Sequence, residues 1–224
     1  MKKFIIGFII CFLYTKSIWS QEYESFENKV PFKASWERYP ENAPWTQFLY
    51  NLIDSELFDD LDKAKDIVRF CPNYDSVDRD HKIYAWIELF SQVSYYESAW
   101  DQTSRMRETT MGTDPITKKP VYSEGLLQLS YQDVANYKRI LAYPKCKINW
   151  EKDKNRNPKS IYKTILDANI NLECGSRILA DQVRRTGSIV LSRNVYWSTL
   201  KENGKYSVVP AIEKNMSKVS FCKR

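Results

Sequence analysis

The feature that most constrains the fold is a spacing of three and four between apolar residues along much of the chain. Such spacing runs through residues 46–70, with a break near Ser55, and again through 80–98 and 166–183. Residues three or four apart share one face of an α-helix, so these stretches predict amphipathic helices. No strand-rich region and no repeat of 20–50 residues stands out. The sequence therefore predicts a mainly α fold.

The remaining segments are predicted as follows. Residues 21–45 hold three prolines and are expected to form an irregular arm packed by Trp36, Tyr39 and Trp45. Asp167 is a suitable N-cap for the helix that follows it. Residues 100–124 and the lysine-rich 138–163 are expected to be loops. Further helices, or a helical turn in the first case, are expected over 125–137, 188–200 and 209–218.

The N-terminus indicates export. Lys2 and Lys3 precede an apolar run, residues 4–14, that is too short to span a bilayer. This pattern predicts a signal peptide over 1–20, with a retained anchor as the alternative. The expected organisation is then an arm and helix over 21–75 and a main domain over 76–224. The mature protein is expected to be secreted or periplasmic, without stable membrane insertion, and monomeric.

Export changes how the cysteines are interpreted. Removal of the signal leaves Cys71, Cys146, Cys174 and Cys222, and an even number in an oxidising compartment predicts two disulfides. Three pairings are possible. Our hypothesis joins Cys146 to Cys174, which would hold the basic loop on the long helix, and Cys71 to Cys222, which would link the ends of the domain.

Composition narrows the chemistry. The chain has a single histidine, His81, which excludes a multi-histidine metal site and is expected to be a capping or surface residue. No cofactor and no metal are expected. Acid–base chemistry at neutral pH must then use carboxyl groups or lysines with an unusual pKa. The formal net charge of +6 is concentrated in the second half of the chain, and in an exported protein this favours anionic wall polymers or membrane surfaces as partners, and not nucleic acid.

Glu97 is the most informative carboxyl group. It lies seven residues after Phe90, so it continues the apolar stripe of the 80–98 helix at the helix's last turn. Desolvation and the negative end of the helix dipole should both raise its pKa. A carboxylic acid that is protonated near neutral pH can protonate a glycosidic oxygen. The alternative is a solvated glutamate at a frayed helix end.

A second motif strengthens this hypothesis. Residues 123–130 read Ser-Glu-Gly-Leu-Leu-Gln-Leu-Ser, which places Gln128 among apolar residues after a glycine. Glu97-Ser98 followed by Gly-Leu-Leu-Gln resembles the Glu-Ser and Gly-Leu-Met-Gln signature of soluble lytic transglycosylase-like domains and goose-type lysozymes. The Asp-Ala-Asn-Ile run at 167–170 and the Tyr-Trp-Ser-Thr-Leu run at 196–200 are similar to that family's later motifs.

The resemblance implies a lysozyme-like fold and cleavage of peptidoglycan strands between N-acetylmuramic acid and N-acetylglucosamine. It implies Glu97 as the catalytic acid and Ser123, Leu127 and Gln128 as residues that contact sugar. Leu127 replaces the family's usual methionine. Tyr196 would correspond to a tyrosine that positions the acid. An exposed tryptophan is a candidate for stacking on sugar, from the set Trp36, Trp45, Trp86, Trp100 and Trp150.

The mechanism depends on a second carboxylate, for which Glu108, Asp114 and Glu124 are the candidates. A hydrolase of the lysozyme type usually needs two carboxyl groups, whereas a lytic transglycosylase can use one as acid and then as base. We favour the hydrolase. The loop acids also leave open a preference for de-N-acetylated glycan. Alternatives outside catalysis are an inactive glycan-binding protein of the same fold, and a wall-anchoring factor that uses the basic loop.

Overall fold

Two long helices form the centre of the fold. The computed structural model describes residues 32–223, and the predicted signal peptide and residues 21–31 of the arm lie outside them. Helix α4, Arg79–Ser98, begins where the Asp78 side chain accepts a hydrogen bond from the His81 backbone N–H at 2.9 Å. Helix α8, Ala168–Thr186, begins at Asp167, whose side chain caps Ile170 N–H as predicted.

The predicted N-terminal helix is present in pieces. Helix α1, Ala43–Leu52, continues into a π-helical turn, Ile53–Leu57, and then into the short helices α2, Phe58–Leu61, and α3, Ile67–Phe70. The wider turn coincides with the predicted break. Helix α1 packs against α4 and α8. The boundary at residue 75 stays a prediction.

The arm ahead of α1 is built from two 3₁₀ turns, Ser35–Arg38 and Pro40–Asn42. Trp36 and Trp45 are buried and pack edge to face, with ring centroids 5.7 Å apart, as expected of residues that hold the arm in place. Tyr39 is different, because its side chain is half exposed. Its predicted packing role is therefore only partial, through contact with Trp100.

A small hairpin corrects the prediction of a continuous loop over 100–124. Strand β1, Arg105–Arg107, pairs antiparallel with β2, Tyr122–Glu124, with Arg105 opposite Glu124. Strands of three residues are too short to produce a recognisable alternation of polar and apolar residues. The hairpin links the end of α4 to the Gly-Leu-Leu-Gln segment.

The rest of the chain is short helices and loops. Residues 125–128 form a turn, followed by the short helices α5, Asp133–Asn136, α6, Lys138–Leu141, and α7, Trp150–Asp153. The segment 138–163, predicted as a loop, therefore contains two helices of four residues each, which are too short to show a recognisable apolar spacing. The predicted helix over 188–200 is wrong, because only Ser198–Leu200 form a 3₁₀ turn. The backbone N–H groups of Ile189 and Val190 bond the Asp66 side chain instead. Helix α9, Val209–Met216, confirms the last predicted helix.

Both predicted disulfides are confirmed, Cys71 to Cys222 and Cys146 to Cys174. The first spans 151 residues and closes the described domain. Cross-links over long loops restrict the unfolded chain strongly and so favour the folded state. None of the helices within residues 32–223 has the length and apolar character needed to cross a membrane.

Candidate functional site

Glu97 is the centre of the candidate site. Its side chain is half-buried on the last turn of α4, which ends at Ser98 and is followed by the C-cap residue Ala99, whose φ is 53°. Thr199 Oγ1 donates a hydrogen bond to Glu97 Oε1 at 2.6 Å. Among the described residues Glu97 forms no ion pair. The carboxyl group is therefore partly desolvated without a compensating cation.

This environment raises the pKa of Glu97 to about 7. Burial is the main cause, because desolvation penalises the charged form. The Thr199 hydrogen bond acts in the opposite direction, and the negative charge of Glu108 raises the pKa further. A substantial fraction of Glu97 is therefore protonated near neutral pH, and burial raises its pKa in the direction that the sequence position predicted.

Glu108 is the predicted second carboxylate that interacts with Glu97. It follows β1, it is half-buried, and its backbone N–H bonds the carbonyl of Val121 at 3.0 Å. Ser123 Oγ donates to Glu108 Oε1 at 2.5 Å. The predicted contact residue Ser123 is thus a buried partner of Glu108, and the hairpin brings this carboxylate within electrostatic reach of Glu97.

Glu124 and Asp114 are engaged elsewhere. Glu124 is buried and pairs with Lys163 and, at 3.4 Å, with Arg105. Asp114 is buried too, and its carboxylate accepts three backbone N–H bonds, which hold its own turn and join it to Gln132. Both carboxylates stabilise the loops around the site, and the sequence did not distinguish them from Glu108.

The turn at residues 125–128 depends on Gly125. Its φ is 82°, and a Cβ there would lie 2.3 Å from Asn171 Nδ2 and 2.9 Å from the carbonyl oxygen of Ile165. Asn171 is fully buried and bonds the backbone of both Leu127 and Glu124. Only glycine fits this close approach of the turn to α8.

Leu127 and Gln128 of this turn were also predicted to contact sugar, and the side chains of both are buried. Leu127 is fully buried against Gly175, so its side chain has no accessible surface for a sugar, which corrects that prediction. Gln128 has a φ of 48°, and its side-chain amide donates to the carbonyl of Gly125 at 2.8 Å. Gln128 remains 6% exposed.

Tyr196 does not bond Glu97 directly. Its hydroxyl donates to Asp133 Oδ2 at 2.5 Å, and its ring packs against Trp197 and Tyr137. The charge of Glu97 contributes to the raised pKa of Tyr196, so the two groups are near each other. The direct partner of the acid is Thr199, three residues later in the same sequence motif. The motif was recognised, but its spacing alone did not show which hydroxyl reaches Glu97.

Trp197 joins this segment to the turn. Its indole Nε1 donates to the carbonyl of Leu127 at 2.8 Å, and it is buried. The Ser198–Leu200 turn then carries Thr199 to Glu97. Three separate parts of the chain therefore support one another at the site: the end of α4, the Gly125 turn and the Trp197–Thr199 segment.

The remaining sequence candidates lie outside this arrangement. His81 lies in the first turn of α4, half-buried, with its ring against Asp78 and Phe221; the residue that caps the helix is Asp78 and not His81. Of the tryptophans, Trp100 and Trp150 are partly exposed, whereas Trp36, Trp45 and Trp86 are buried. Within residues 32–223 no group of three or more His, Cys, Asp or Glu side chains is arranged to hold a metal ion.

A separate cavity is lined by charged residues that form ion pairs with other residues of the protein. It lies between the N-terminal helices and α8 and is lined by Glu56, Arg177 and Asp181, among others. Arg177 pairs with Glu56 and Glu173, and Asp181 pairs with three arginines. Because these charges compensate one another within the protein, we place the candidate site at Glu97.

Fold and site together define a mainly helical, disulfide-linked domain in which Glu97 is half-buried with a single hydrogen-bond donor and, within residues 32–223, no ion pair. No family model and no curated protein sequence matches the chain. The chain does match solved structures. The structure named Bd0314 DslA wild-type form 2 has a TM-score of 0.65 and 24% identity, over 85% of this chain and 98% of that one. Two glutamate-to-glutamine mutants of DslA match equally well, at 24% and 23% identity. At this identity the likeness shows a common fold.

Proposed function

We propose that this protein is an exported glycosidase with a lysozyme-like fold that cleaves peptidoglycan between N-acetylmuramic acid and N-acetylglucosamine. The observation that carries the proposal is Glu97, a half-buried carboxyl group with a pKa near 7, one hydrogen-bond donor and no cation beside it. A general acid for glycoside cleavage needs these properties. The two disulfides are typical of exported proteins.

Glu97 supplies the proton in the proposed reaction. Thr199 donates to Oε1, which leaves Oε2 to hold the proton and deliver it to the glycosidic oxygen. The bond between that oxygen and the anomeric carbon breaks, and positive charge develops on the sugar. In a hydrolase, water attacks the anomeric carbon, and its proton passes to a carboxylate.

Glu108 is the proposed second carboxylate. Its negative charge acts on Glu97, and in the reaction it would stabilise the positively charged sugar or accept the proton of the attacking water. The two glutamates replaced in the DslA mutants are eleven positions apart in that protein, the same separation as Glu97 and Glu108 here. This spacing supports treating the two carboxylates as a functional pair.

The acidic pair also favours one substrate variant. A de-N-acetylated glucosamine ring carries an ammonium group, and the negative charge of Glu108, which forms no ion pair within residues 32–223, would attract it. Glycan from which acetyl groups have been removed is therefore a second substrate candidate. A lytic transglycosylase is the alternative reaction: the sugar's own hydroxyl replaces water as the nucleophile and Glu97, now ionised, accepts its proton.

The test is mass spectrometry of fragments released from purified peptidoglycan, native and de-N-acetylated. We expect wild-type protein to release fragments with reducing ends and Glu97→Gln to lower the rate about a thousandfold. Asp59→Asn is the control, because Asp59 is exposed and lies on α2, outside both the candidate site and its neighbouring loops. Anhydro ends would assign the transglycosylase. Glycan binding without any release would indicate an inactive binding protein and contradict the proposal.

A further inference from the structure

The segment between Asn149 and Thr164 forms a closed lobe. Asn149 N–H donates to Thr164 Oγ1 at 2.8 Å, so the two ends of the segment meet. The buried Asp153 accepts a hydrogen bond from Thr164 N–H at 2.8 Å and another from Tyr131 at 3.0 Å. We call residues 150–163 the basic lobe. Its shape is fixed by these bonds.

The surface of the basic lobe is positively charged. Four cations are exposed, and they lie within eight residues of sequence: Lys152, Lys154, Arg156 and Lys159. The one exposed acid of the lobe, Glu151, pairs with Lys154 at 2.5 Å. Three of the cations form no ion pair with any residue in 32–223, namely Lys152, Arg156 and Lys159. Unpaired charges this close together attract anions and raise their local concentration.

The lobe also exposes apolar surface. Ile161 is 52% exposed and Tyr162 is 75% exposed. These two neighbouring side chains give the lobe an apolar contact area, and an aromatic ring with a polar hydroxyl is suited to contact with a polymer in water.

The lobe is attached to the candidate site. Lys163, at its end, is buried and pairs with Glu124, which directly precedes Gly125. At its start, Trp150 packs on Tyr131, with ring centroids 5.0 Å apart. The basic lobe is therefore anchored at both ends to the segment that contains the Gly125 turn, next to the candidate site.

We propose that the basic lobe is a second binding surface for the wall polymer, where its cations pair with carboxylates of the peptide stems. The inference rests on the proposed function, since it assigns the lobe to the same substrate. Peptide stems project from the glycan strand and carry free carboxylates, whereas the bare disaccharide backbone gives cations less to bind. The lobe would thus favour peptide-bearing strands over bare glycan.

The test measures binding of the full chain to insoluble sacculi stripped of accessory polymers. Glu97→Gln is used as background, so that the sacculi are not degraded during the measurement. The lobe variant reverses three charges: K152E, R156E and K159E. The matched control reverses three exposed lysines of other elements: K65E, K214E and K218E. Circular dichroism checks that both variants fold.

We expect the lobe variant to bind about tenfold more weakly at low salt, and the control to bind normally. Chemical amidation of the stem carboxylates should weaken binding of the parent protein to the level of the lobe variant. On bare glycan oligosaccharides, the charge reversals placed in the otherwise wild-type enzyme should leave kcat unchanged.

Equal binding of lobe variant and control would overturn the inference. So would binding that amidation does not weaken. Lobe-dependent binding to anionic lipid vesicles, with no effect on sacculi, would assign the lobe to a membrane surface and contradict it as well. Failure of the proposed function is distinguishable, because wild-type protein would then release no fragments from any peptidoglycan.

Discussion

Glu97 lies on the last turn of α4 and Glu124 at the end of β2, so the hairpin connects the two residues. A comparison of these glutamates shows how their surroundings make one carboxyl group structural and leave the other able to exchange a proton. Glu124 is fully buried, with Lys163 and Arg105 beside it, so its charge is compensated inside the protein. Glu97 is half-buried and has only the Thr199 hydroxyl. A paired carboxylate holds structure together, whereas an unpaired one is free to exchange a proton.

Absence of a cation is not sufficient for a catalytic role. Glu88 and Asp133 are also buried without a cation, and burial raises the pKa of each. Glu88, however, accepts three hydrogen bonds, from Ser35 N–H, Ser35 Oγ and Gln92 Nε2. Asp133 likewise has three donors. Glu97 differs because it combines partial exposure with a single donor.

The largest effect that would sharpen this comparison is expected at Glu124. Glu124→Gln leaves the buried Lys163 ammonium without its partner, which should lower the free energy of unfolding by about 3–5 kcal/mol. Chemical denaturation measures this. The control is Glu213→Gln, at a half-exposed pair with Arg69, where we expect less than about 1 kcal/mol. Equal losses at the two sites would show that the buried pair is not structural.

Glu108→Gln should lower the rate of glycan cleavage about a hundredfold, because it removes charge stabilisation of the transition state. It should also lower the pKa of Glu97, since the Glu108 charge raises it. The alkaline limb of the pH–rate profile should then move to lower pH. A normal rate with an unmoved limb would remove Glu108 from the mechanism.

Glu97→Gln should make stability less dependent on pH. The folded-state pKa of Glu97, about 7, lies above its ordinary value of 4.5, so the folded state binds the proton more tightly than the unfolded chain. This contribution is complete below about pH 4.5 and is lost as the pH rises through 7. The mutant should gain on the order of 1–2 kcal/mol relative to wild type between pH 5 and 8, allowing for partial exposure. A constant difference across this range would argue against the raised pKa.

The smallest effect is expected at Thr199. Thr199→Val keeps the shape of the side chain but removes the donor to Glu97, so the pKa of Glu97 should rise and the alkaline limb should move to higher pH. We expect kcat to fall about tenfold through lost orientation of the acid. Thr199→Ser should restore both. Loss of rate without a shift in pH profile would indicate a purely structural role.

Local patterns in the sequence predicted those features that depend on interactions between residues close in sequence. Asp167 was recognisable as a cap, the 80–98 helix by its spacing, and Glu97 by its place on the apolar stripe. The apolar N-terminal run predicted export, and predicted export was the reason to expect two disulfides, both of which are present. These features depend on neighbours within about one helical turn or on the compartment, so a single sequence contains them.

Features that depend on distant partners were not predictable. Nothing near Glu124 in sequence shows that Lys163, 39 residues away, would pair with it. The same holds for Thr199 and Glu97, which are 102 residues apart. The 188–200 segment fits a helical pattern, but its backbone bonds Asp66 instead, 123 residues earlier. Contacts between residues far apart in sequence therefore determine which glutamate has a cation beside it and which has none.

The most direct test of the central claim is an NMR titration of the Glu97 carboxyl carbon in protein labelled at glutamate. The resonance is assigned by its absence from Glu97→Gln. We predict a midpoint near pH 7, lowered in Glu108→Gln and raised in Thr199→Val. A midpoint near the ordinary value of 4.5 would mean that Glu97 is a solvated carboxylate and would contradict its proposed role as the acid.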